Sequence, residues 1–390
     1  MSAVAGAAQC GRSAPCRGEF GAHCQCWISN VWPGRRILAM DKNMSEIRVE
    51  SLTKRYGEAT ALDGVSLAFP EGSFTALLGP SGCGKTTMLR LIAGFEAPSE
   101  GRVFFGDTPV ADPKRQLPPE ARGVGVVFQS YALWPHMDVA ENVAYPLRAR
   151  HVASADIPAR VTKVLDIVGL NGFEKRRIDE LSGGQRQRVA LARCLVAEAR
   201  IILFDEPLAN LDMHLRASMV DAFRDIHRRT SATIVYVTHD QAEALALADR
   251  VAVMSKGKLL QAATPQEIYR SPADAAVAGF VGRGSLISGN TIHHSGQIAT
   301  IDIAGHRLAA RSLVEPRGAV KILLRPEALA IASDGLPATV LDSVYRGPVH
   351  EVRLALAEPG QHLLVDSTEA LATGQRVHVA VSDAWVVPGT

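Results

Sequence analysis

The apolar positions of this chain change period several times, and the changes divide it into elements. From Glu46 they alternate with polar or small residues, at Ile47 and Val49 and again at Val65, Leu67 and Phe69, which predicts half-buried strands in a β-rich layer. Four later runs are almost wholly apolar: Phe74-Thr75-Ala76-Leu77-Leu78, Val124-Gly125-Val126-Val127-Phe128, Ile201-Ile202-Leu203-Phe204 and Thr233-Ile234-Val235-Tyr236-Val237-Thr238. Such runs predict buried strands, the third of them central in a parallel sheet covered on both faces. Between them the spacing turns helical: at Met88-Leu89-Arg90-Leu91-Ile92, from Val139 to about Asp179 (Val161, Val164, Leu165, Val168), from Arg186 to Glu198 (Val189, Leu191, Leu195, Val196), and from Asp240 to Asp249. Strands and helices in alternation predict an α/β domain over 44–280. That domain closes with a hairpin around Ser255-Lys256-Gly257-Lys258 and a capping box at Thr264-Pro265-Gln266-Glu267, with proline at the first helical position.

From about Ser285 the alternation returns in short pieces, at Ile301-Asp302-Ile303, Val320-Lys321-Ile322, Val352-Arg353-Leu354 and Val377-His378-Val379. They predict a small all-β barrel over 285–390. Residues 1–43 carry no period. They are expected to be a disordered extension or the product of a start assigned too far upstream, since Met40 and Met44 stand immediately before the first regular pattern.

Composition narrows the picture. With 390 residues, 47% of them hydrophobic, the chain has material for two or three domains. Lys+Arg 42 against Asp+Glu 40 leaves a net charge of +2, so the basic footprint of a phosphate-backbone binder is missing and no nucleic acid is expected as a partner. No apolar run approaches the roughly 18 residues a membrane helix needs, so any membrane role is expected through a partner. Four of the six cysteines, Cys10, Cys16, Cys24 and Cys26, lie with His23 in the first segment, but their spacings match no familiar zinc pattern. Cys83 and Cys194 fall inside the α/β region and suggest a reducing cytosol.

The candidate chemistry gathers on the ends of the apolar runs. Gly79-Pro80-Ser81-Gly82-Cys83-Gly84-Lys85-Thr86-Thr87 fits G-x-x-x-x-G-K-[ST] and lies between a strand pattern and a helical one, the context a phosphate-binding loop requires. Gly82 and Gly84 let the backbone turn its N–H groups inward, and the helix starting near Lys85 adds its positive dipole end to an anion site. Lys85 is expected to reach the β- and γ-phosphates, and Thr86 to offer its hydroxyl to Mg²⁺. Cys83 is either an accessible thiolate in a cationic loop, which alkylation would find and ATP would protect, or an inert small residue filling a loop position.

The second run delivers Gln129 to its end, followed by Tyr131 and Trp134, which offer a partner-facing surface. The third delivers Asp205 and Glu206, one carboxylate suited to Mg²⁺ and the other to orienting water. The fourth delivers His239. Ser182 is a predicted N-cap with Gly183 and Gly184 beside it, a second anion-binding helix start without an obvious phosphate of its own. Tyr56, in Lys54-Arg55-Tyr56-Gly57, is an aromatic ring on a turn, placed to stack on a purine or simply to pack.

The phosphate loop, Gln129, Leu181-Ser182-Gly183-Gly184-Gln185, Asp205-Glu206 and His239, in this order, resemble the ATP-binding subunits of ABC transporters, over about Glu46 to Ala263. The resemblance implies a P-loop ATPase domain with a RecA-like core, an antiparallel β subdomain and a helical subdomain. It also implies a head-to-tail dimer, with a second copy or a paralogous subunit, in which each ATP lies between the phosphate loop of one subunit and Ser182, Gly183, Gly184 and Gln185 of the other. On that resemblance Tyr56 stacks the adenine, Gly79 through Thr87 with Lys85 and Thr86 hold phosphates and Mg²⁺, Asp205 binds the metal through water, and Glu206 is the general base. His239 then fixes the γ-phosphate and water, Gln129 senses Mg²⁺ and relays to the permease, and Asp212 in Leu208-Ala209-Asn210-Leu211-Asp212 lies on the dimer seam.

Leu324-Arg325-Pro326-Glu327 resembles the arginine-proline-glutamate element of the OB-like appended domain, often called TOBE, of subunits serving bacterial solute importers. The resemblance implies import powered from the cytoplasmic face of the membrane, with transmembrane permease subunits as direct partners and an external solute-binding protein as an indirect one. It leaves the cargo open among maltose-type sugars, polyamines, ferric iron, sulfate and phosphonates, with the short C-terminal region inclining towards polyamine, iron or phosphonate. The competing expectation, an ABC ATPase acting on nucleic acid or ribosomes, sits poorly with a single phosphate loop and no sustained heptads.

Overall fold

The computed structural model describes residues 45–209, 211–357 and 360–389. The expectations for residues 1–43 and their cysteines lie outside these. Among the described residues the first layer is an antiparallel sheet of β1 (Ile47–Tyr56), β2 (Ala59–Phe69), β4 (Glu100–Phe105) and β5 (Thr108–Ala111), in the order β2-β1-β4-β5. The second is a six-stranded sheet in the order β10-β9-β3-β8-β7-β6, built from β3 (Phe74–Leu78), β6 (Val124–Val127), β7 (Ile201–Asp205), β8 (Thr233–Thr238), β9 (Arg250–Ser255) and β10 (Lys258–Ala263). Strands β9, β3, β8, β7 and β6 run parallel to their neighbours, and β10 closes one edge antiparallel.

Burial explains why the parallel strands carry unbroken apolar runs. In β7, Ile202 and Phe204 face one core and Ile201 and Leu203 face another, and β3 divides Phe74, Ala76 and Leu78 from Leu77 in the same way. The first core is shared with the helical insert, whose helices Val139–Ala149 and Ile157–Ile167 contribute Val143, Leu147, Val161, Val164 and Leu165. The second lies against the antiparallel sheet and the helix Lys85–Ala93.

Several boundaries differ from the sequence expectation, each for a local reason. The helix expected from Arg186 begins at Gly183, because the Ser182 cap and its reciprocal bond with Gln185 recruit both glycines into the first turn, and it ends at Val196 just before Glu198 at φ +55°. The helix expected over Asp240–Asp249 contracts to Gln241–Leu247 because Asp240 is its N-cap, its side chain accepting from the N–H groups of Ala242 and Glu243. Strand β1 runs on through Tyr56, so the tyrosine stands at a strand end and Gly57, at φ +59°, makes the turn.

The C-terminal region is all β. It closes β11 (Ser285–Ser295), β12 (Ile298–Ile303), β13 (His306–Arg311), β14 (Ala319–Leu324) and β20 (Trp385–Val386) into a barrel. It also adds a five-stranded sheet of β15 (Leu329–Ala332), β16 (Leu336–Tyr345), β17 (His350–Leu356), β18 (His362–Ser367) and β19 (Arg376–Val381), sharing one core with the barrel. Three residues of this region bond main-chain carbonyls of the segment after the ATPase sheet, and Arg311 Nη1 also donates to Ser271 Oγ at 3.3 Å. Arg325 gives N–H bonds to the carbonyls of Arg283 (3.0 Å) and Tyr269 (2.8 Å), Arg311 to that of Arg270 (3.0 Å), and the Trp385 indole to that of Pro272 (3.0 Å).

One buried cation secures the helix behind the phosphate loop. Arg122 is 0% exposed and donates to the carbonyls of Leu91 (2.8 Å) and Ile92 (2.7 Å) in the last turn of Lys85–Ala93, and to those of Leu117 (2.8 Å) and Val110 (3.2 Å). A guanidinium there satisfies orphan carbonyls and complements the negative end of the helix dipole. Burial lowers its pKa to about 10, which still leaves it charged at neutral pH. Arg122→Met is expected to lower stability by about 3–5 kcal/mol by leaving buried carbonyls unpaired. Denaturant unfolding checks this, and an unchanged midpoint would mean that water replaces the guanidinium without loss.

Candidate functional site

Parallel pairing places the C-terminal ends of β3, β6, β7 and β8 on one edge of the sheet. Leu78 pairs with Thr238, Asp205 with Val237 and Val127 with Phe204, so the residues that follow each strand emerge side by side. These are the phosphate loop after β3, Gln129 after β6, Asp205 and Glu206 at the end of β7, and His239 after β8. Ligands of open α/β sheets bind at this edge.

In the loop, Gly82 and Gly84 adopt φ +78° and +105°, as their expected role requires. A Cβ at Gly84 would meet the Ala61 carbonyl oxygen at 2.4 Å, so position 84 excludes any side chain. The Lys85 ammonium, on a side chain 4% exposed as a residue, donates to the carbonyls of Gly79 (2.7 Å) and Pro80 (3.0 Å). Thr86 Oγ1 donates to Asp205 Oδ1 at 2.9 Å, so the two expected metal ligands already meet across the site. Burial raises the Asp205 carboxyl pKa above the ordinary value. The Thr86 bond and the charges of Arg90 and Lys85 pull it back, and Glu206 pushes it up. A desolvated carboxylate beside a hydroxyl is the donor set a small hard cation would stabilise.

Glu206 Oε2 lies 3.2 Å from His239 Nδ1, and because a carboxylate only accepts, that bond places a ring proton on Nδ1. Glu206 holds φ +45°, a left-handed conformation costly for a side-chain-bearing residue, and its N–H is tied to the Val237 carbonyl at 3.0 Å. Strained backbone of this kind clusters at functional sites. Tyr56 stands 46% exposed with Lys54 Nζ 5.0 Å from its ring centre, and its hydroxyl bonds Glu96. Burial of the hydroxyl, then Glu96, raises its pKa to about 12, with Thr87 of the loop acting against them.

The remaining expected residues lie apart from this group and bond locally. Ser182 and Gln185 form a capping box: Ser182 Oγ accepts from the Gln185 N–H (3.3 Å), and Gln185 Oε1 from the Ser182 N–H (2.9 Å). Asp212 caps the helix Met213–Thr230 by accepting from the Leu215 N–H at 2.9 Å. Two expectations fail. Tyr131 is 8% exposed and buried against the helical insert, so its ring is not part of an outward surface, whereas Trp134 is partly exposed and stacks on Tyr145 (4.2 Å between ring centres) beneath the Arg193 guanidinium. Cys83 is 3% exposed, and burial raises its thiol pKa against the pull of Lys85, so the inert-residue reading replaces the reactive one.

Glu96, the partner of the Tyr56 hydroxyl, and Glu243, buried behind His239, escaped the sequence reading. Glu96 carries no motif. Glu243 stands three residues after a capping aspartate, a spacing that reads as ordinary helix start chemistry.

A family model described as ABC transporter matches residues 62–209, and one described as TOBE domain matches residues 322–387. The chain is 43% identical over 314 residues to the Fe(3+) ions import ATP-binding protein FbpC of Escherichia coli O157:H7, covering 80% of this chain and 87% of that protein. It is also 43% identical over 350 residues to the spermidine/putrescine import ATP-binding protein PotA of Rubrobacter xylanophilus, covering 87% and 91%. A third relative, the sulfate/thiosulfate import ATP-binding protein CysA of Xanthomonas campestris pv. campestris, is 43% identical over 349 residues, covering 88% and 99%. Among solved structures, cbiO1 of Clostridium perfringens superposes with a TM-score of 0.53 at 30% identity, covering 57% of this chain and 89% of that one. The dimeric structure of a bacterial ABC transporter cassette gives 0.50 at 31%, covering 56% and 98%.

Iodoacetamide at pH 7–8 is expected to spare Cys83 in the folded protein, with labelling accelerating only at pH above the ordinary thiol range, where a raised pKa permits the thiolate. Peptide mapping of folded against unfolded protein checks this, and fast native labelling at Cys83 would show that the loop opens.

Proposed function

We propose, from the premise that this chain belongs to the family of ABC transporter ATP-binding subunits, that it hydrolyses ATP to power import of a small solute through a membrane permease. The observation that carries the chemistry is the Glu206–His239 pair standing on the sheet edge that also bears the phosphate loop. Lys85 and the inward N–H groups of the loop receive the phosphates, and Tyr56 receives the adenine ring. Glu206 takes the proton of the attacking water. His239 holds the terminal phosphate and that water in line.

Thr86, Asp205 and Gln129 are the residues that would hold Mg²⁺, and the hydroxyl–carboxylate pairing at 2.9 Å fits an oxygen-ligand cation. When bound, the ion neutralises charge on the β- and γ-phosphate oxygens. A head-to-tail dimer supplies the missing half of each site: Ser182, Gly183, Gly184 and Gln185 of the partner meet the ATP held by the phosphate loop, and Asp212 lies on the seam. The capped start of the helix Gly183–Val196 supports this, because it presents the positive end of a helix dipole with Ser182 exposed at its tip.

No helix among the described residues is long and apolar enough to cross a membrane, so attachment at the cytoplasmic face runs through permease subunits, which in turn engage an external solute-binding protein. The relatives named for iron, for spermidine and putrescine, and for sulfate and thiosulfate share one level of identity with this chain. Overall similarity therefore selects no cargo for this chain, and on this reading the permease and binding protein define it. Import relatives of this kind also disfavour an action on ribosomes or nucleic acid.

Glu206→Gln is expected to retain ATP binding, to lower kcat about 10²–10⁴-fold as loss of a general base does, and to accumulate an ATP-bound dimer on size exclusion. Normal turnover in that variant would remove Glu206 from the base role. Affinity purification of the tagged protein from detergent-solubilised membranes of its host is expected to recover a permease, whose binding protein identifies the cargo. Recovery of ribosomes without a membrane protein would overturn the import reading.

A further inference from the structure

Behind His239 lies a charged cluster that the ATPase chemistry described above does not use. Arg216, one turn into the helix Met213–Thr230, reaches in two directions. Its Nη2 donates to the Leu211 carbonyl at 3.3 Å, on the turn that carries Asp212, and its Nη1 donates to Asp240 Oδ2 at 2.9 Å, immediately after His239. Its Nε lies 3.6 Å from Glu243 Oε1, an ion-pair distance. Glu243 is 5% exposed and accepts at Oε2 from the hydroxyls of Tyr236 and Thr238, both at 2.8 Å. Thr238 Oγ1 in turn accepts from the Asp240 N–H at 2.9 Å. The residues on both sides of His239 are therefore held by one network, and Arg216 is the member that joins it to the Asp212 turn.

Local structure does not require that connection. The start of the helix Gln241–Leu247 is already capped by Asp240 Oδ1, which accepts from Ala242 (2.8 Å) and Glu243 (3.3 Å), so the bond from Arg216 falls on the other carboxylate oxygen. Glu243 likewise has both its hydroxyl donors without Arg216. What the guanidinium adds is a fixed distance between two loops, the one bearing Asp212 and the one bearing His239. Guanidinium suits this work because its donors diverge in a rigid plane: two of them bond Asp240 and the Leu211 carbonyl while its charge stands at ion-pair distance from Glu243.

We infer that Arg216 is a positioning residue for ATP hydrolysis, tying the Leu211–Asp212 turn to Asp240 and Glu243 and thereby holding the His239 ring against Glu206. The inference rests on the reading of His239 and Glu206 given above and extends it to the seam. An ammonium in place of the guanidinium keeps the charge but cannot span all three acceptors, so Arg216→Lys should fall between the wild type and Arg216→Gln.

Steady-state ATP hydrolysis by the full-length protein tests this with Arg216→Gln, Arg216→Lys, His239→Ala and the double variant Arg216→Gln/His239→Ala. Arg216→Gln is expected to lower kcat about 10–100-fold, the scale of a small misplacement of a catalytic group. KM for MgATP and the melting temperature should stay near wild type, and Arg216→Lys should recover part of the loss. In the His239→Ala background, adding Arg216→Gln is expected to change the rate less than twofold. Wild-type kcat in Arg216→Gln, a rise in KM or a fall in melting temperature that accounts for the loss, or full additivity in the double variant would each overturn the role of Arg216 while leaving His239 in place. Wild-type hydrolysis in His239→Ala would instead overturn the reading of His239 on which the inference stands.

Discussion

The structure depends on the parallel pairing of β3, β7 and β8. That pairing is possible only because each strand is buried on both faces, and burial on both faces in turn demands the antiparallel layer on one side and helices on the other. Once the three strands lie in register, Leu78, Asp205 and Thr238 end together, and loop, carboxylates and histidine need no further means of meeting. A one-residue slip in β7 would turn Asp205 away from Thr86, since successive side chains of a strand point to opposite faces. The Thr86–Asp205 bond, between residues 119 apart in the chain, thus joins the helix that follows β3 to the end of β7 and reports that register.

Much of this was legible from sequence because the informative residues obey short-range rules. The apolar runs at Ile201 and Thr233 specify two-faced strands, the Ser182–Gln185 box and the Thr264–Glu267 box specify helix starts, and the glycines of the phosphate loop specify a turn that only glycine makes. The all-β character of the C-terminal region was legible for the same reason. Its division into a closed barrel and a second sheet was not, because β20 returns from the chain's end to pair with β13 and β14, and nothing local in Trp385-Val386 announces that partner.

The features that escaped are those whose meaning depends on distance in space. Arg122 reads as one arginine among many, yet it is fully buried and caps a helix that ended some thirty residues earlier. Cys83 sits in a cationic loop, which suggests a reactive thiol, but exposure decides reactivity and exposure is a tertiary property. Tyr131 follows a glutamine at a strand end, as an outward surface would, yet its ring is buried in the core shared with the helical insert, and Arg193 bonds its carbonyl and that of Ala132.

The attachment of the C-terminal region has an evolutionary side. Four bonds from Arg325, Arg311 and Trp385 end on main-chain carbonyls at residues 269–272 and 283. A carbonyl is supplied by every residue type, so these four bonds place no demand on the side chains they meet. Other contacts of the seam do: Ser271 Oγ accepts from Arg311 at 3.3 Å, the Tyr269 ring lies against the Arg325 guanidinium, and the Arg283 side chain pairs with Glu351 and Asp366. Recombination that pairs an old motor with a new all-β module is therefore free at the carbonyls and constrained at Tyr269, Ser271 and Arg283, where motor and module have to change together.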